Sequence, residues 1–528
     1  MTPLVAAVDV GTASVRAAVI DAAGQLHGLA EAPISTVFPE QAGAEQAGAE
    51  QDSEEIWFTL CRALTEARLA AGAAPGDIAA LGFDATCSLV LRDRAGRPLG
   101  LSAPLRDTLA WHDHRAAAEA AECSALTGPV LDHLGGSMSP EMQPPKLMWL
   151  CRQRPDLWGR LGYAFDLADF LTWRATGNAA RSHCTLTCKW GYLPAEGGFS
   201  APFLAATGLV DLPRQTGIPD PPLPVGGVAG RLTDAAAMEL GLAPGLPVAT
   251  GMIDAHAGAL AALGGLDDAG LQGSAALVAG TSGCIMHFAP DPRPMRGVWG
   301  PFPDVALPDL WMREAGQSAS GGLLNHLCRL WTGAEPTAAL HASVMRRIAK
   351  LRAEEGWNLG HRLHVLPDFQ GNRSPQGDPS ALGVLSGLGM DQGFDGLCRV
   401  YWRAALSLAL GLRQVLDHFA AHGTAVSRLF LVGGQARSPM LADLYATATG
   451  CEVHRSAAPN AMLLGGAICA MTAAGIHPDL RSAAAAMRAE TVLHRPDPSG
   501  APAIARDYAV FLEMQDQRRR IEAMSQTV

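Results

Sequence analysis

At 528 residues, with 48% hydrophobic and 17% charged residues, the chain is long enough for two large domains, because single cores stop growing near ~250–300 residues. Its formal net charge of −11 argues against nucleic acid or an anionic membrane as the main partner, while leaving room for a local basic cleft. The eleven cysteines are scattered and odd in number, which reads as reduced thiols in a cytosolic protein. Cys184 and Cys188 stand closest together, but no second pair follows at zinc-ribbon spacing, so they are not read as a metal site. No apolar stretch reaches the ~18–20 residues of a membrane span. The run Leu4 to Val8 lacks the basic start of a signal peptide and ends at Asp9, so a soluble cytoplasmic protein is expected.

In chain order, Leu4 to Val8 is β-rich, Asp9 to Ser14 forms a small-residue turn, and Val15 to Asp21 resumes as a strand. Strand, Gly-Thr turn, strand is a hairpin; neither G-x-x-x-x-G-K-[ST] nor G-x-G-x-x-G occurs. The tip offers backbone N–H groups and the Thr12 hydroxyl to phosphate oxygens, with Arg16 close enough to add charge. A plain hairpin with glycine at its turn explains the same residues. The QAGAE repeat over Gln41 to Glu50 reads as a solvated surface insertion. Ser53, followed by Glu54 and Glu55, opens a helix in the manner of a capping box. Asp77 to Phe83 is a further strand, and Val90 to Asp93 begins another hairpin.

The cluster Trp111-His112-Asp113-His114-Arg115 is either a surface loop or a pocket wall able to hydrogen-bond a polyol. Helices are expected from Pro145, in the tolerated first turn, and over Asp166 to Trp173. Thr185 to Trp190 reads as a short loop or strand bearing Lys189, which is either costly unless a ligand oxygen accepts from it or snorkels to the surface. Leu246 to Thr250 reads as a strand that breaks at Gly251, and Asp254 then caps an alanine-rich helix. That placement explains Asp254 as a structural N-cap and equally puts it beside any anion held at the helix end.

Leu277-Val278-Ala279 followed by Gly280-Thr281-Ser282-Gly283 copies the first hairpin tip, which suggests a duplicated fold facing itself across a cleft. Glu314 to Ser318 precedes Ser320-Gly321-Gly322, which opens a helix over Leu323 to Leu330. Leu429 to Val432 is a strand that breaks at Gly433-Gly434-Gln435-Ala436-Arg437, with a helix from Pro439; paired glycines admit a flat nucleoside. A long helix over Gly396 to His418 and a terminal one near Ala509 to Met524 complete the chain.

Together, two Gly-Thr hairpins, Gly251-x-x-Asp254 at a helix start and a late strand–Gly-Gly–helix resemble the FGGY-type carbohydrate kinases, over roughly Leu4 to Ile476. The stretches Phe83-Asp84-Ala85-Thr86-Cys87, Trp111 to Arg115, Lys189 with its neighbours, Glu314 to Ser318 and Pro367 to Pro375 look most like the pentulose kinases, D-ribulokinases above all. The resemblance implies an α/β fold of two actin-like (ribonuclease H-like) ATPase domains with an interdomain catalytic cleft: a sugar-binding domain over 1–256 and a nucleotide-binding domain over 257–528. It implies ATP and Mg²⁺ as cofactors, and a homodimer as one assembly open to the chain.

Carried over residue by residue, the resemblance makes Asp254 the general base and gives the sugar contacts to Cys87, Asp113, Lys189, Asp254 and Glu314. The phosphates fall to Gly11, Thr12, Arg16, Gly280, Thr281 and Gly321, the adenosine to Gly433, Gly434, Gln435 and Arg437, and Mg²⁺ to Asp9. Asn460 stands where relatives often carry a carboxylate. The implied reaction is phosphorylation of D-ribulose at a primary hydroxyl, with L-ribulokinase, xylulokinase and ribitol kinase as alternatives. A non-catalytic actin-like sugar sensor is the rival from another class. Asp254 is expected to be ionised at pH 7 without a large pKa shift.

Overall fold

The computed structural model describes residues 2–39, 48–457 and 460–525. It separates into two compact units, one comprising Met1–Ala269, Phe288–Arg313 and Asn460–Ala489, the other Gly270–His287, Glu314–Pro459 and Glu490–Val528.

The sheet of the first unit runs in the order Val228–Arg231, Pro247–Ala249, Ile78–Ala85, Leu4–Val10, Ser14–Asp21, Leu26–Pro33, with the short strand Met252–Ile253 also paired to Ile78–Ala85. Leu4–Val10 is antiparallel to the strand it turns into and parallel to Ile78–Ala85. Its near-continuous apolar run is what a strand covered on both faces requires. Ala6, Val8 and Val10 join the core beneath the helix Ser53–Ala70. On the opposite face Ala7 meets the helix Ala461–Ala473. Asp9, two residues on from Ala7, therefore falls on the side of that late helix, since side chains alternate along a strand.

The helix Ala461–Ala473 sits on the sheet at backbone distance. A Cβ at Gly82 would lie 2.2 Å from the Gly466 carbonyl oxygen, and one at Gly465 would lie 2.1 Å from that of Ala257. Asn460 occupies its N-cap position, but the side chain does not cap the helix.

The second unit repeats the pattern, with strands in the order Trp311–Gln317, Gly283–Ala289, Ser274–Ala279, Arg428–Val432, Glu452–Ser456. Ser274–Ala279 is antiparallel to Gly283–Ala289 and parallel to Arg428–Val432. The long helix Phe394–Ala421 buries most of its length, from Gly396 through Phe419. Both expected Gly-Thr hairpins are present.

Several local expectations are corrected. Thr185 to Trp190 is not a loop or strand: it lies almost wholly within the helix His183–Lys189, whose first turn is capped by Ser182 accepting from the Cys184 N–H at 3.2 Å. The cap together with burial of that helix overrides the weak helix preference of its threonines. The helix at Ser53 is capped by Asp52, which accepts from Glu54 and Glu55, while Ser53 donates to Asp107 at 2.7 Å. Asp254 is the first residue inside its helix rather than the cap; Ile253 holds the cap position. The terminal helix spans Ala501–Ser525, with Pro502 tolerated in its first turn. Residues 41–47 of the QAGAE repeat lie outside the described residues. The repeat's last residue is not solvated: Glu50 is fully buried and pairs with Arg115 at 2.8 Å.

The close seat of the late helix generates a stability prediction. Gly82→Ala should destabilise the protein by about 1–3 kcal/mol, the usual range for overpacking, because its methyl group would meet backbone rather than a movable side chain. Denaturant unfolding monitored by circular dichroism measures this, and an unchanged midpoint would contradict the close approach.

Candidate active site

Three acidic residues are brought together by strand register. Asp9 pairs with Asp84 across the parallel strands Leu4–Val10 and Ile78–Ala85. Met252 and Ile253 pair with Asp84 and Ala85, so Asp254 emerges immediately beyond, at the same carboxyl ends of parallel strands where open α/β sheets hold ligands. Asp9 is buried and makes an ion pair with Arg16 at 3.1 Å; Asp84 is fully buried. Apart from that ion pair, none of the four carboxylate oxygens of Asp9 and Asp84 has a hydrogen-bond partner.

Burial, opposed by Arg16 and reinforced by Asp254, pushes Asp9 up to about 6. Burial and the neighbouring Asp9 and Asp254 hold Asp84 well above the usual carboxylate range. Asp254, partly exposed, is also raised by burial, against the opposing pull of the Ala255 N–H, His256, Arg16 and Lys189. The expectation that it keeps an ordinary pKa is thus corrected. Orphaned buried oxygens on clustered acids fit a hard divalent cation such as Mg²⁺, which takes oxygen ligands. Asp84 was not singled out from the sequence, although Phe83-Asp84-Ala85-Thr86-Cys87 contained it. Only the register reveals its adjacency to Asp9.

The first hairpin tip is built as expected. The Gly11 N–H donates to the Ser14 carbonyl at 3.0 Å, and the Thr12 hydroxyl accepts from Trp111 Nε1 at 3.0 Å. A Cβ at Gly11 would come within 3.2 Å of the Arg16 guanidinium, so glycine leaves Arg16 room to fold back towards Asp9.

A buried polar wall lies in the same unit. Gln143 donates to the Cys87 carbonyl at 3.0 Å and to Asp166 Oδ2 at 3.1 Å, and Trp190 Nε1 donates to that same oxygen at 2.7 Å. Gln143 Oε1, Asp166 Oδ1 and the Thr187 hydroxyl have no hydrogen-bond partner. Burial pushes Asp166 up to about 7, with Asp169 adding to the rise. Lys146 is fully buried and donates to the carbonyls of Ala110 and Trp111 at 2.9 and 3.2 Å; burial lowers its pKa. Lys189 is only 3% exposed, which excludes the snorkelling alternative, and its ammonium stands 4.5 Å from the centre of the Trp299 ring. The Cys87 thiol, pushed up to about 12 by burial, is neutral. Lys146 and Asp166 were read from the sequence only as helix residues and Gln143, two residues before the expected helix start, was not singled out; Gln143 in fact begins that helix, and Asp166 ends the strand Leu161–Asp166 just ahead of its own.

Asp113 departs from its expected role. Its Oδ2 accepts from the Ala49 N–H at 2.7 Å, and both oxygens accept from Arg115, whose other arm reaches Glu50. The carboxylate is engaged internally rather than presented to a ligand.

In the second unit, the hairpin tip at Gly280 and Thr281 is tied to the start of the helix Gly321–Thr332. The Gly321 N–H donates to the Gly280 carbonyl at 3.0 Å, and a Cβ at Gly321 would lie 2.7 Å from that oxygen. Gly321 therefore shapes the tip; its N–H is already used. Gly433 adopts a positive φ of 89° against the Ala279 backbone. Gln435 is also turned inward, donating to the Ser320 hydroxyl at 2.7 Å and accepting from the Tyr445 hydroxyl at 2.6 Å, whereas Gly434 and Arg437 are exposed. Glu314 is buried beside Arg373 at 3.7 Å, a partner the sequence did not indicate.

A third cluster involves the cysteine pair set aside from the sequence. Cys184, Cys188 and His256 are fully buried, and one ligand atom of each lies within 4.8 Å of the others. Burial raises the Cys184 thiol, but the hydrogen bond with Cys188 and the neighbouring His256 outweigh it and hold the thiol well below its usual range.

Residues 4–261 match the N-terminal domain of the FGGY family of carbohydrate kinases, and residues 275–474 match its C-terminal domain. The chain belongs to the FGGY family of carbohydrate kinases and has its two-domain fold. It is similar to the FGGY carbohydrate kinase domain-containing protein of Danio rerio, 38% identical over 544 residues covering 98% of each chain. It is also similar to a D-ribulokinase of Saccharomyces cerevisiae, 31% identical over 84% of this chain and 68% of the relative. In fold it matches the xylulose kinase from Rhodospirillum rubrum, with a TM-score of 0.77 at 24% identity over 98% and 99% of the two chains.

The polar wall makes a prediction about pH. Because burial lifts the folded-state pKa of Asp166 from 3.8 to about 7, its protonated form stabilises the fold. That contribution is complete below about pH 4 and is lost as pH rises through about 7. Asp166→Asn keeps an acceptor for Trp190 without titrating. It should gain stability relative to wild type over that interval, on the order of a few kcal/mol in total. Urea unfolding across the range reads this directly; a difference independent of pH would refute the titration.

Proposed function

We propose that the chain transfers the γ-phosphoryl group of ATP to a primary hydroxyl of a pentulose, converting D-ribulose to D-ribulose 5-phosphate. The observation that carries the reading is the convergence of Asp9, Asp84 and Asp254 at the strand ends in the unit that also holds the buried polar wall. Similarity to a D-ribulokinase over most of the chain supports the choice of sugar.

Asp254 acts as general base, taking the proton of the attacking hydroxyl as the new P–O bond forms. A raised pKa suits that role, since a base nearer neutrality accepts a proton more readily. Lys189, Cys87, Asp166 and Glu314 read the sugar's oxygen atoms, and Asp113 contributes by holding Arg115. A site built to bond hydroxyls rejects analogues that lack them. Gly11, Thr12 and Arg16 in the first unit, and Gly280 and Thr281 in the second, steady the phosphates, with Gly321 shaping the second tip. Gly433, Gly434 and Arg437 serve the adenosine, and Gln435 braces that turn. Residues 1–256 serve as the sugar-binding domain and 257–528 as the nucleotide-binding domain, while the first compact unit also takes in Phe288–Arg313 and Asn460–Ala489. Asp9, with Asp84 beside it, would hold Mg²⁺, which neutralises phosphate charge in such transfers. The cysteines form no disulfides, and no described helix is long and apolar enough to cross a membrane; both support a cytoplasmic enzyme.

An ADP-release assay over D-ribulose, L-ribulose, D-xylulose and ribitol should give the highest kcat/KM with D-ribulose. Preference for another member would reassign the substrate, and no sugar-dependent turnover would favour a sensor. Asp254→Asn should lower kcat by roughly 10²–10⁴-fold with sugar binding largely retained; near-normal turnover would remove Asp254 from the role of base. Lys189→Ala should raise the KM for sugar more than that for ATP. Equal effects on both substrates would argue against a sugar contact.

A further inference from the structure

The helix His183–Lys189 carries Cys184 and Cys188 one turn apart, and residues four apart share a face. The helix Asp254–Leu263 brings His256 against them, with its Nδ1 3.1 Å from Cys184 Sγ. The three ligand atoms lie within 4.8 Å of one another and the residues are fully buried. Around a tetrahedral zinc ion, bonds of ~2.3 Å to sulfur and ~2.0 Å to nitrogen place ligand atoms roughly 3.5–3.8 Å apart. The observed spacing needs adjustment of only part of an ångström to one ångström to close on a single ion.

We propose that Cys184, Cys188 and His256 form a binding site for a thiophilic divalent cation of the zinc class, distinct from the carboxylate cluster at Asp9 and Asp84. The donor chemistry separates the two sites. Thiolate and imidazole select zinc-like ions, whereas Mg²⁺ takes oxygen. The ion joins two helices that are far apart in sequence. Lys189 follows the ligand Cys188 directly, and Asp254 precedes the ligand His256 by two residues, so the site staples together the helices bearing both. The proposal does not depend on the kinase reading, because its test reads metal binding alone.

The test uses the full chain, reduced, freed of metal with a chelator and titrated with Co²⁺ alone. The expected result is thiolate-to-cobalt charge-transfer absorption with tetrahedral ligand-field bands, saturating at a single equivalent and bleached by added Zn²⁺. The bands should persist in Cys151→Ser and disappear in the Cys184→Ser/Cys188→Ser double variant. Absence of charge transfer in the wild type, or its survival in the double variant, would overturn the site. X-ray absorption at the cobalt edge of the wild-type chain keeps the test decisive if the double variant does not fold. A shell of two sulfur atoms with nitrogen supports the proposal; a shell of oxygen and nitrogen alone refutes it. A Cys184–Cys188 disulfide in the freshly purified chain, persisting under the reducing conditions of the assay, would also refute it.

Discussion

The parallel pairing of Ile78–Ala85 with its neighbours is the constraint on which the first unit depends. One register places Asp84 beside Asp9, and the short Met252–Ile253 pairing delivers Asp254 to the same edge. A slip of one residue would turn the acids to the other face of the sheet, into the apolar core beneath the helix Ser53–Ala70. The hydrophobic core thus enforces an arrangement that is electrostatically unfavourable on its own terms, since burial raises all three carboxyl groups and the neighbouring Asp254 adds to the rise at Asp9 and Asp84. Such local conflict with otherwise consistent folding rules is characteristic of functional sites.

Much of this was legible in the sequence. The apolar strands, the two Gly-Thr hairpins and the late strand–Gly-Gly turn are local patterns, and local patterns survive folding. What the sequence concealed depended on partners distant along the chain. Asp113 looked available until the Ala49 N–H was brought to it and Glu50 to its neighbour Arg115, and Gln435 until Ser320 and Tyr445 closed around its amide. Asp166 looked like an ordinary helix residue and Gln143 carried no signal, because their importance lies in facing each other. The helix at Cys184 was misread as extended because threonine and cysteine have weak helix preference and burial decides the outcome. The cysteine pair was set aside for want of a second pair at zinc-ribbon spacing, whereas the third donor, His256, comes from a helix about seventy residues away.

The two hairpin tips show how one motif can be held in different ways. In the first unit a tryptophan ring nitrogen fixes the Thr12 hydroxyl while Arg16 folds back along the adjoining strand towards Asp9. In the second, backbone hydrogen bonds fasten the tip to the beginning of a helix, and Gly321 permits that approach. The first arrangement orients side-chain chemistry. The second fixes main-chain shape, which suits a turn whose neighbours are glycines.

The helix Ala461–Ala473 has a consequence for the life of the chain. It covers the sheet face at Asp84 and presses on the helix of Asp254, yet it is synthesised some two hundred residues after that helix. Domains generally complete themselves as they leave the ribosome, amino-terminal part first. Here the amino-terminal sheet must wait for a helix made long after its own strands before that cover arrives. Its acidic strand ends therefore lack this cover until the residues up to Ala473 have been made.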